Sequence, residues 1–448
     1  MDFQEFKKLV IAKAQEMGLA DYELYYQVAE SVIASAFMHE IDRFSANNAG
    51  GVCFRCIVDG KMGYAATERL DAQQAERIVQ MAVENCKSLE NDEPEFLATG
   101  GQVYAQTQPG KCEFPATDVL IDKVLVTQQA LYDADPHVVD GSSCRGVAER
   151  VRTAICNSKG LDLEADHVLC ALMAQAVVEK DGEKANDYQL KLDRLEDIDI
   201  SALTAKAAKT ALGKLGGEPA PTGVYPVVFD PEAVCALLET FSDIFSGEYA
   251  QKGLSRLGQQ VGQQIAATAV SLVDDPAYPE NPMPMTFDAE GSPTSKKFVI
   301  ENGVLNTLLH NLKTANMAGV QTTGNGAKAR YDSPVSIAPF TMYLQPGSYS
   351  RQQLLEMADK GVYICSLSGL HAGANDVTGD FSLQSEGFLI EDGKLTDHVK
   401  SFTVAGNFYE LLKNIAAVGN DLELPSPTDQ TAFGSPTVLV NNLSVAGK

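Results

Sequence analysis

In the opening segment MDFQEFKKLVIAKAQEMGL, Phe3, Phe6, Leu9 and Val10 recur at helical spacing among charged residues, which predicts an amphipathic surface helix. Residues 22–36 carry a strand pattern, either as two short strands or as one long bent one. The run GGVCFRCIVDGKMGYAAT predicts a strand, a turn at Asp59-Gly60 and a second strand, since Asp-Gly between apolar runs marks a tight hairpin. Ala75, Ile78, Val79, Ala82, Val83 and Cys86 follow at i, i+3, i+4, i+7 spacing and predict a helix. Another helix is expected within residues 116–132, ending before Pro136. From Arg145 to Leu192 the pattern is β, with turn chemistry at Asn157-Ser158-Lys159-Gly160 and Lys180-Asp181-Gly182. An Ala-rich helix over residues 200–215 closes this half.

The second half opens with a strand over residues 225–229. A helix follows, started by Asp230 as N-cap and Pro231 at the first helical position. A second helix is expected over roughly residues 253–267, and short strands with hairpin turns beyond Val270. Two hairpins echo each other: FVIENGVLNTLLH and FLIEDGKLTDHV. The pattern predicts an α+β protein. A mixed domain takes residues 1–215, a Gly/Pro-rich linker lies at about 213–223, and a β-rich C-terminal domain takes 224–448.

Composition narrows the function classes. Sixty acids against 35 bases give a net charge of −25, and no cluster of five basic residues occurs. Direct nucleic-acid binding and attraction to anionic lipid are therefore disfavoured, because both need a surplus of Lys and Arg. No apolar run approaches the roughly 20 residues of a membrane span, and the charged N-terminus is unlike a secretory signal; the expected location is cytoplasmic. Of nine cysteines, Cys53 and Cys56 form a C-x-x-C. On a strand, positions three apart point to opposite faces, so these read as reduced packing cysteines.

Three further stretches invite chemistry. His39-Glu40 lacks the second histidine of a zincin, since Arg43 stands in its place. Gly324-Asn325-Gly326-Ala327-Lys328 lacks the P-loop order and reads as a mobile or ligand-covering loop. His371, Asn375, Asp376 and Asp380 share a Gly-rich stretch. They either converge on a cation or a peptide backbone, or cap a tight turn, the second reading being favoured.

Residues 368–422 contain Gly373-x-Asn375, Thr378-Gly379-Asp380-Phe381-Ser382, Glu386-Gly387, Ile390-Glu391-Asp392-Gly393, Ala405-Gly406-Asn407 and Val418-Gly419-Asn420-Asp421. Together with Asn157-Ser158-x-Gly160, Asp288-x-Glu290-Gly291 and the C-terminal Ser435-Pro436-Thr437, this combination resembles the TldD/PmbA family, formerly called modulators of DNA gyrase. TldD-type members of that family carry an H-E-x-x-x-H helix and a C-terminal cysteine that bind zinc. The metal activates water and the glutamate serves as general base. The matching run here is Leu238-Glu239-Thr240-Phe241-Ser242-Asp243, so Glu239 is kept while Leu238 and Asp243 replace the histidines, and no cysteine follows Cys365. The resemblance thus implies a PmbA/TldE-type subunit with no zinc and no other cofactor of its own. It also implies a dimer, with a TldD-type subunit or with itself, that encloses a chamber for unfolded or modified peptides. The rival readings are an autonomous peptidase using Glu239, Asp243 and a labile metal, and a gyrase-binding regulator.

Overall fold

The computed structural model describes residues 1–90, 93–106, 112–281, 283–424 and 431–448. The first half is built on one antiparallel sheet of order β3-β2-β1-β4-β5-β6. Its strands are β1 (Asp21–Phe37), β2 (Glu40–Val58), β3 (Lys61–Thr67), β4 (Ser143–Asn157), β5 (Asp162–Lys180) and β6 (Glu183–Leu192). β1 is one 17-residue strand rather than two, and the β2–β3 hairpin turns at Asp59-Gly60, both at positive φ. Four helices, α1 (Phe3–Glu16), α2 (Ala72–Ser88), α3 (Thr117–Ala134) and α4 (Ile200–Gly213), bury their apolar sides on the sheet. Leu24, Val32, Ala34 and Ala36 of β1 lie in those helix-packed clusters, and period-2 geometry puts all four on one face.

Among the described residues the second half holds two large sheets and one two-stranded ladder. In the larger, β7 (Gly223–Phe229), β14 (Gly361–Ser368), β15 (Asp380–Glu391), β16 (Lys394–Asn407) and β19 (Val438–Ala446) pair in sequence, and β16 also pairs with β19. That extra pairing closes the five strands into a ring, with β17 (Ile415–Val418) attached to β19. Val227, Phe229, Val362, Ile364, Leu383, Val404, Val440 and Val445 belong to the apolar core beneath it. The other sheet has the order β10-β9-β8-β13-β18, from β8 (Leu272–Asp274), β9 (Lys297–Glu301), β10 (Val304–Leu305), β13 (Thr341–Leu344) and β18 (Ala432–Gly434). A small ladder joins β11 (Gly326–Ala327) to β12 (Ser336–Ile337). The helices of this half are α5 (Pro231–Phe241), α6 (Gly247–Gln251), α7 (Leu312–Ala318), α8 (Arg351–Ala358), α9 (Leu370–Gly373) and α10 (Phe408–Asn414). The two echoing hairpins are β9–β10 and β15–β16, in different sheets.

The helix expected over residues 253–267 is absent. Only a 3₁₀ turn, Arg256–Gln259, forms there. Gly253 and Gly262 adopt positive φ, and the segment bonds instead to the β9–β10 turn, Gly262 N to Leu305 O and Ile265 N to Gly303 O. Three glycines in fifteen residues weaken the helix, and the strand-like bonds replace it. No helix is long and apolar enough to cross a membrane among the described residues.

Candidate functional site

α5 starts as its sequence dictates. The Asp230 side chain accepts from Glu232 N, and Pro231 sits at N1. The helix turns Val234, Leu237, Leu238 and Phe241 inward, and Leu238 is 1% exposed in the same cluster as Phe229 and Leu411. Glu239 faces solvent. Asp243 falls beyond the helix, on the 3₁₀ turn Ser242–Phe245, and lies beside the Tyr249 hydroxyl, which donates to Asp376 Oδ2 at 3.1 Å. Burial pushes the Asp243 carboxyl up; the Tyr249 hydroxyl partly offsets this, and Asp376 and Glu248 push it further. Burial, with the carboxylates of Asp243 and Asp376, also raises the Tyr249 phenol. The tyrosine therefore stays protonated and donates between two acids.

The His371–Asp380 stretch is a turn, not a converging constellation. Asn375 Oδ1 accepts from Val377 N at 3.1 Å and Thr378 N at 2.9 Å, an Asx turn. Asp380 is exposed and accepts from Asn407 Nδ2 at 2.8 Å, which draws its carboxyl below the usual range. Gly379 has φ +80, and a Cβ there would come within 2.6 Å of the Tyr409 ring. His371 is exposed on one-turn α9. Asp376 reaches a second element through Tyr249, and Asp380 another through Asn407.

For the zinc implied by the resemblance, the donor set does not fit. Leu238 offers no donor and is enclosed by apolar side chains, and the Asp243 carboxyl is engaged by Tyr249. Cys365 packs on the outer side of the ring beside Tyr363 and Ile390. Among the described residues no group of three or more His, Cys, Asp or Glu is placed to hold a metal ion. Leu238 and Asp243 thus leave two of the expected positions without an imidazole.

A second assembly lies where the two halves meet; sequence reasoning noted Asn157, Asp288, Glu290 and Lys328 in separate motifs and missed Glu23 and Arg55. Arg55 on β2 is paired in register with Glu23 on β1, and its Nε donates to Glu23 Oε1 at 2.7 Å. Asn157 Nδ2 also reaches Glu23. From the other half come Asp288, Glu290 and Lys328, all buried, with Lys328 Nζ 5.2 Å from the Tyr25 ring centroid. Asp288 accepts from Glu290 N, Ser292 N and Gly326 N, and Glu290 Oε2 from Leu312 N at 2.7 Å. Burial raises both carboxyls and lowers the Lys328 amine. The loop 324–328, expected to be mobile, is instead locked here. Asn325 is fully buried and donates to Asp274 Oδ2, and Lys328 donates to the Ser333 carbonyl. The signal available in the sequence was a charge inside each of two apolar strand runs, DYELYY and VCFRCIV.

Comparison with known proteins agrees with the architecture. Models of the PmbA/TldA metallopeptidase match in three pieces: domain 1 over residues 22–86, the central domain over 113–215 and the C-terminal domain over 222–447. A Thermotoga maritima structure, solved as a candidate modulator of a DNA gyrase, has a TM-score of 0.90 at 31% identity and covers 99% of this chain and 100% of that one. TldE from Thermococcus kodakarensis has a TM-score of 0.87 at 23% identity, covering 98% and 99%. A protein named metalloprotease from Methanothermobacter thermautotrophicus is 27% identical over 424 residues, 91% of each chain. Matched by these models over residues 22–86, 113–215 and 222–447, the chain belongs to the TldD/PmbA family.

Proposed function

We propose that this chain is the PmbA/TldE-type subunit of a TldD/PmbA peptidase system, holding unfolded or modified peptides for a zinc-bearing TldD-type partner and cutting none itself. The observation that carries this reading is the burial of Leu238 in the apolar core where an imidazole would be needed. Glu239 keeps the position of the general base, yet without a metal-polarised water it has no acidic proton to remove. The nine cysteines are free thiols, which suits the reducing compartment in which we place the protein. A chain that keeps the scaffold and loses the ligands fits a pseudo-twofold dimer in which one half supplies the chemistry.

Elemental analysis of the purified chain is expected to find no stoichiometric zinc. Mixing it with a TldD-type subunit from the same organism should yield co-purification and cleavage of an unstructured peptide above that of either alone. About one tightly held zinc per chain would overturn the reading, as would chelator-resistant cleavage by the chain alone. Chelator-sensitive cleavage by the chain alone would favour the autonomous peptidase built on Glu239 and Asp243. The gyrase reading rests on the description of the Thermotoga relative, and a pull-down with gyrase tests it.

A further inference from the structure

Of the nine cysteines, Cys112 and Cys365 are half-buried and the other seven are buried. Two pairs of them lie in contact. Cys56 on β2 and Cys86 on α2 hold their sulfurs 3.8 Å apart, at 0% and 1% exposure. The second pair joins Cys112, in the segment that leads into α3, to the buried Cys170 on β5. Cys112 packs against the apolar cluster that contains Cys170, and Cys170 Sγ lies 3.8 Å from the carbonyl oxygen of Glu113. The β5–β6 ladder frays at this point. Its last paired residues are Ala171 and Leu192, and Asp193 N then bonds the Cys170 carbonyl at 3.3 Å. The Cys170 N–H and its thiol both donate to the Cys112 sulfur. The Cys170 thiol, and after it the N–H, draw the Cys112 thiol below the ordinary thiol range, against burial and the nearby Asp193 and Glu196. In Cys170 the bond to Cys112, then burial, pushes the thiol up. Burial also raises Cys56 and Cys365, the latter to about 12. Cys112 thus combines access to solvent, thiolate character and an adjacent second thiol.

We infer that Cys112 and Cys170 are a redox-active pair, in which Cys112 reduces a hydroperoxide and Cys170 resolves the product as a disulfide. The Cys112 thiolate attacks hydrogen peroxide: an S–O bond forms and the O–O bond breaks. The leaving hydroxide takes up the proton that the thiol had released to solvent, and Cys112 is left as a sulfenic acid. That step removes the negative charge beside Cys170, one of the causes that hold the Cys170 proton. The Cys170 sulfur then attacks the sulfenic sulfur. The S–S bond forms, the S–O bond breaks, and the departing hydroxide leaves as water with the Cys170 proton. Two thiols are oxidised by two electrons, and one peroxide becomes two waters. The buried Cys56–Cys86 pair has the same proximity without the thiolate or the access, and it stays reduced. Transient disulfides of the first kind are the ones found in reducing compartments. The bond ties the approach to α3 onto β5. It requires neither metal nor peptide, so it stands or falls separately from the function proposed above.

The test treats the full chain with dilute hydrogen peroxide, unfolds it in iodoacetamide and maps its peptides by mass. One disulfide is expected, Cys112–Cys170, with Cys56 and Cys86 both alkylated. In the untreated folded chain Cys112 should react with iodoacetamide at neutral pH at least about tenfold faster than Cys365. Cys170→Ser should halt the sequence at a Cys112 sulfenic acid that dimedone labels. A Cys56–Cys86 disulfide that forms first overturns the inference. So does a wild-type map in which Cys112 and Cys170 remain thiols, or one in which Cys112 is overoxidised without pairing. Alkylation of Cys112 no faster than that of Cys365 overturns it equally. The wild-type map and rates decide the matter even if the variant fails to fold.

Discussion

Glu290 is 4% exposed and shares its burial with Asp288 on its own turn, Glu23 on β1, Arg55 on β2 and Lys328 from the neighbouring loop, so its protonation is tied to folding. Its carboxyl and that of Asp288 are both raised, first by burial. A carboxyl raised in the folded state holds its proton there after the unfolded chain has released it. Its stabilising contribution is complete below the ordinary carboxylate range and is lost as pH rises through the folded value, between about pH 5 and pH 8. Glu290→Gln keeps an oxygen for Leu312 N and cannot titrate. Denaturant titrations should therefore show wild-type stability falling more steeply across that window than the variant's. Parallel slopes would show that the pair does not titrate with folding. The resemblance marked Asp288-x-Glu290-Gly291, while Glu23 and Arg55 went unmarked inside their strand runs. Their meeting depends on contacts between segments more than 200 residues apart, and no periodicity reports such contacts.

Among the elements, those governed by local rules were legible. α1, α2 and the Asp59-Gly60 hairpin follow from spacing and turn chemistry, and α5 follows from Asp230-Pro231. The segment after Gly253 misled because its glutamines and alanines favour helix, while its glycines and its pairing with the β9–β10 turn decide otherwise. The loop at residues 324–328 misled for a related reason. Gly and Asn suggest mobility, yet Gly324 has φ +67 and a Cβ there would collide with the Pro293 carbonyl, so the glycine serves close packing. In the His371–Asp380 stretch Asn375 caps backbone N–H groups, whereas the Asp380 carboxylate bonds the Asn407 side chain instead. Asn407 anchors that turn to α10: its Oδ1 caps Tyr409 N, and its Nδ2 donates to Thr378 O and Asp380 Oδ1. Asn407→Ala removes the cap and both turn contacts together. A loss of about 1–2 kcal/mol is expected, read as a lowered unfolding midpoint. Asn407→Asp, which keeps the cap but faces Asp380 with a like charge, should recover only part of it.

Across the whole molecule, the two halves are joined by charge as much as by apolar contact. Lys214, at the end of α4, lies 2.9 Å from Asp187 on β6 and 3.7 Å from Glu386 on β15, and its side chain is 15% exposed. Lys313 on α7 meets Glu93 and Glu95, and Tyr104 donates to the Gly291 carbonyl. Lys214→Met would leave Asp187 and Glu386 without their shared cation, at a cost of about 1–3 kcal/mol. The expected result is faster proteolytic cleavage within residues 213–223 with little change in the far-ultraviolet spectrum. Unchanged cleavage would mean that the remaining contacts hold the halves without it. The linker itself is tied down, since Glu218 exchanges backbone bonds with His398 and Lys400.

The strand ring has a consequence in time. β7 ends at Phe229, yet the strand that flanks it, β19, begins at Val438. At roughly 5–20 residues per second of synthesis, about 10–40 seconds separate their emergence from the ribosome. The six-stranded sheet and its helices are complete by then, while β7, β14, β15 and β16 wait with a gap between β7 and β16 that only β19 can fill. During that interval one edge of β7 at Val227–Phe229 and one edge of β16 at Thr403–Ala405 stay without a partner strand. The slowest and most chaperone-dependent step in the birth of this protein should therefore be the seating of its last strand.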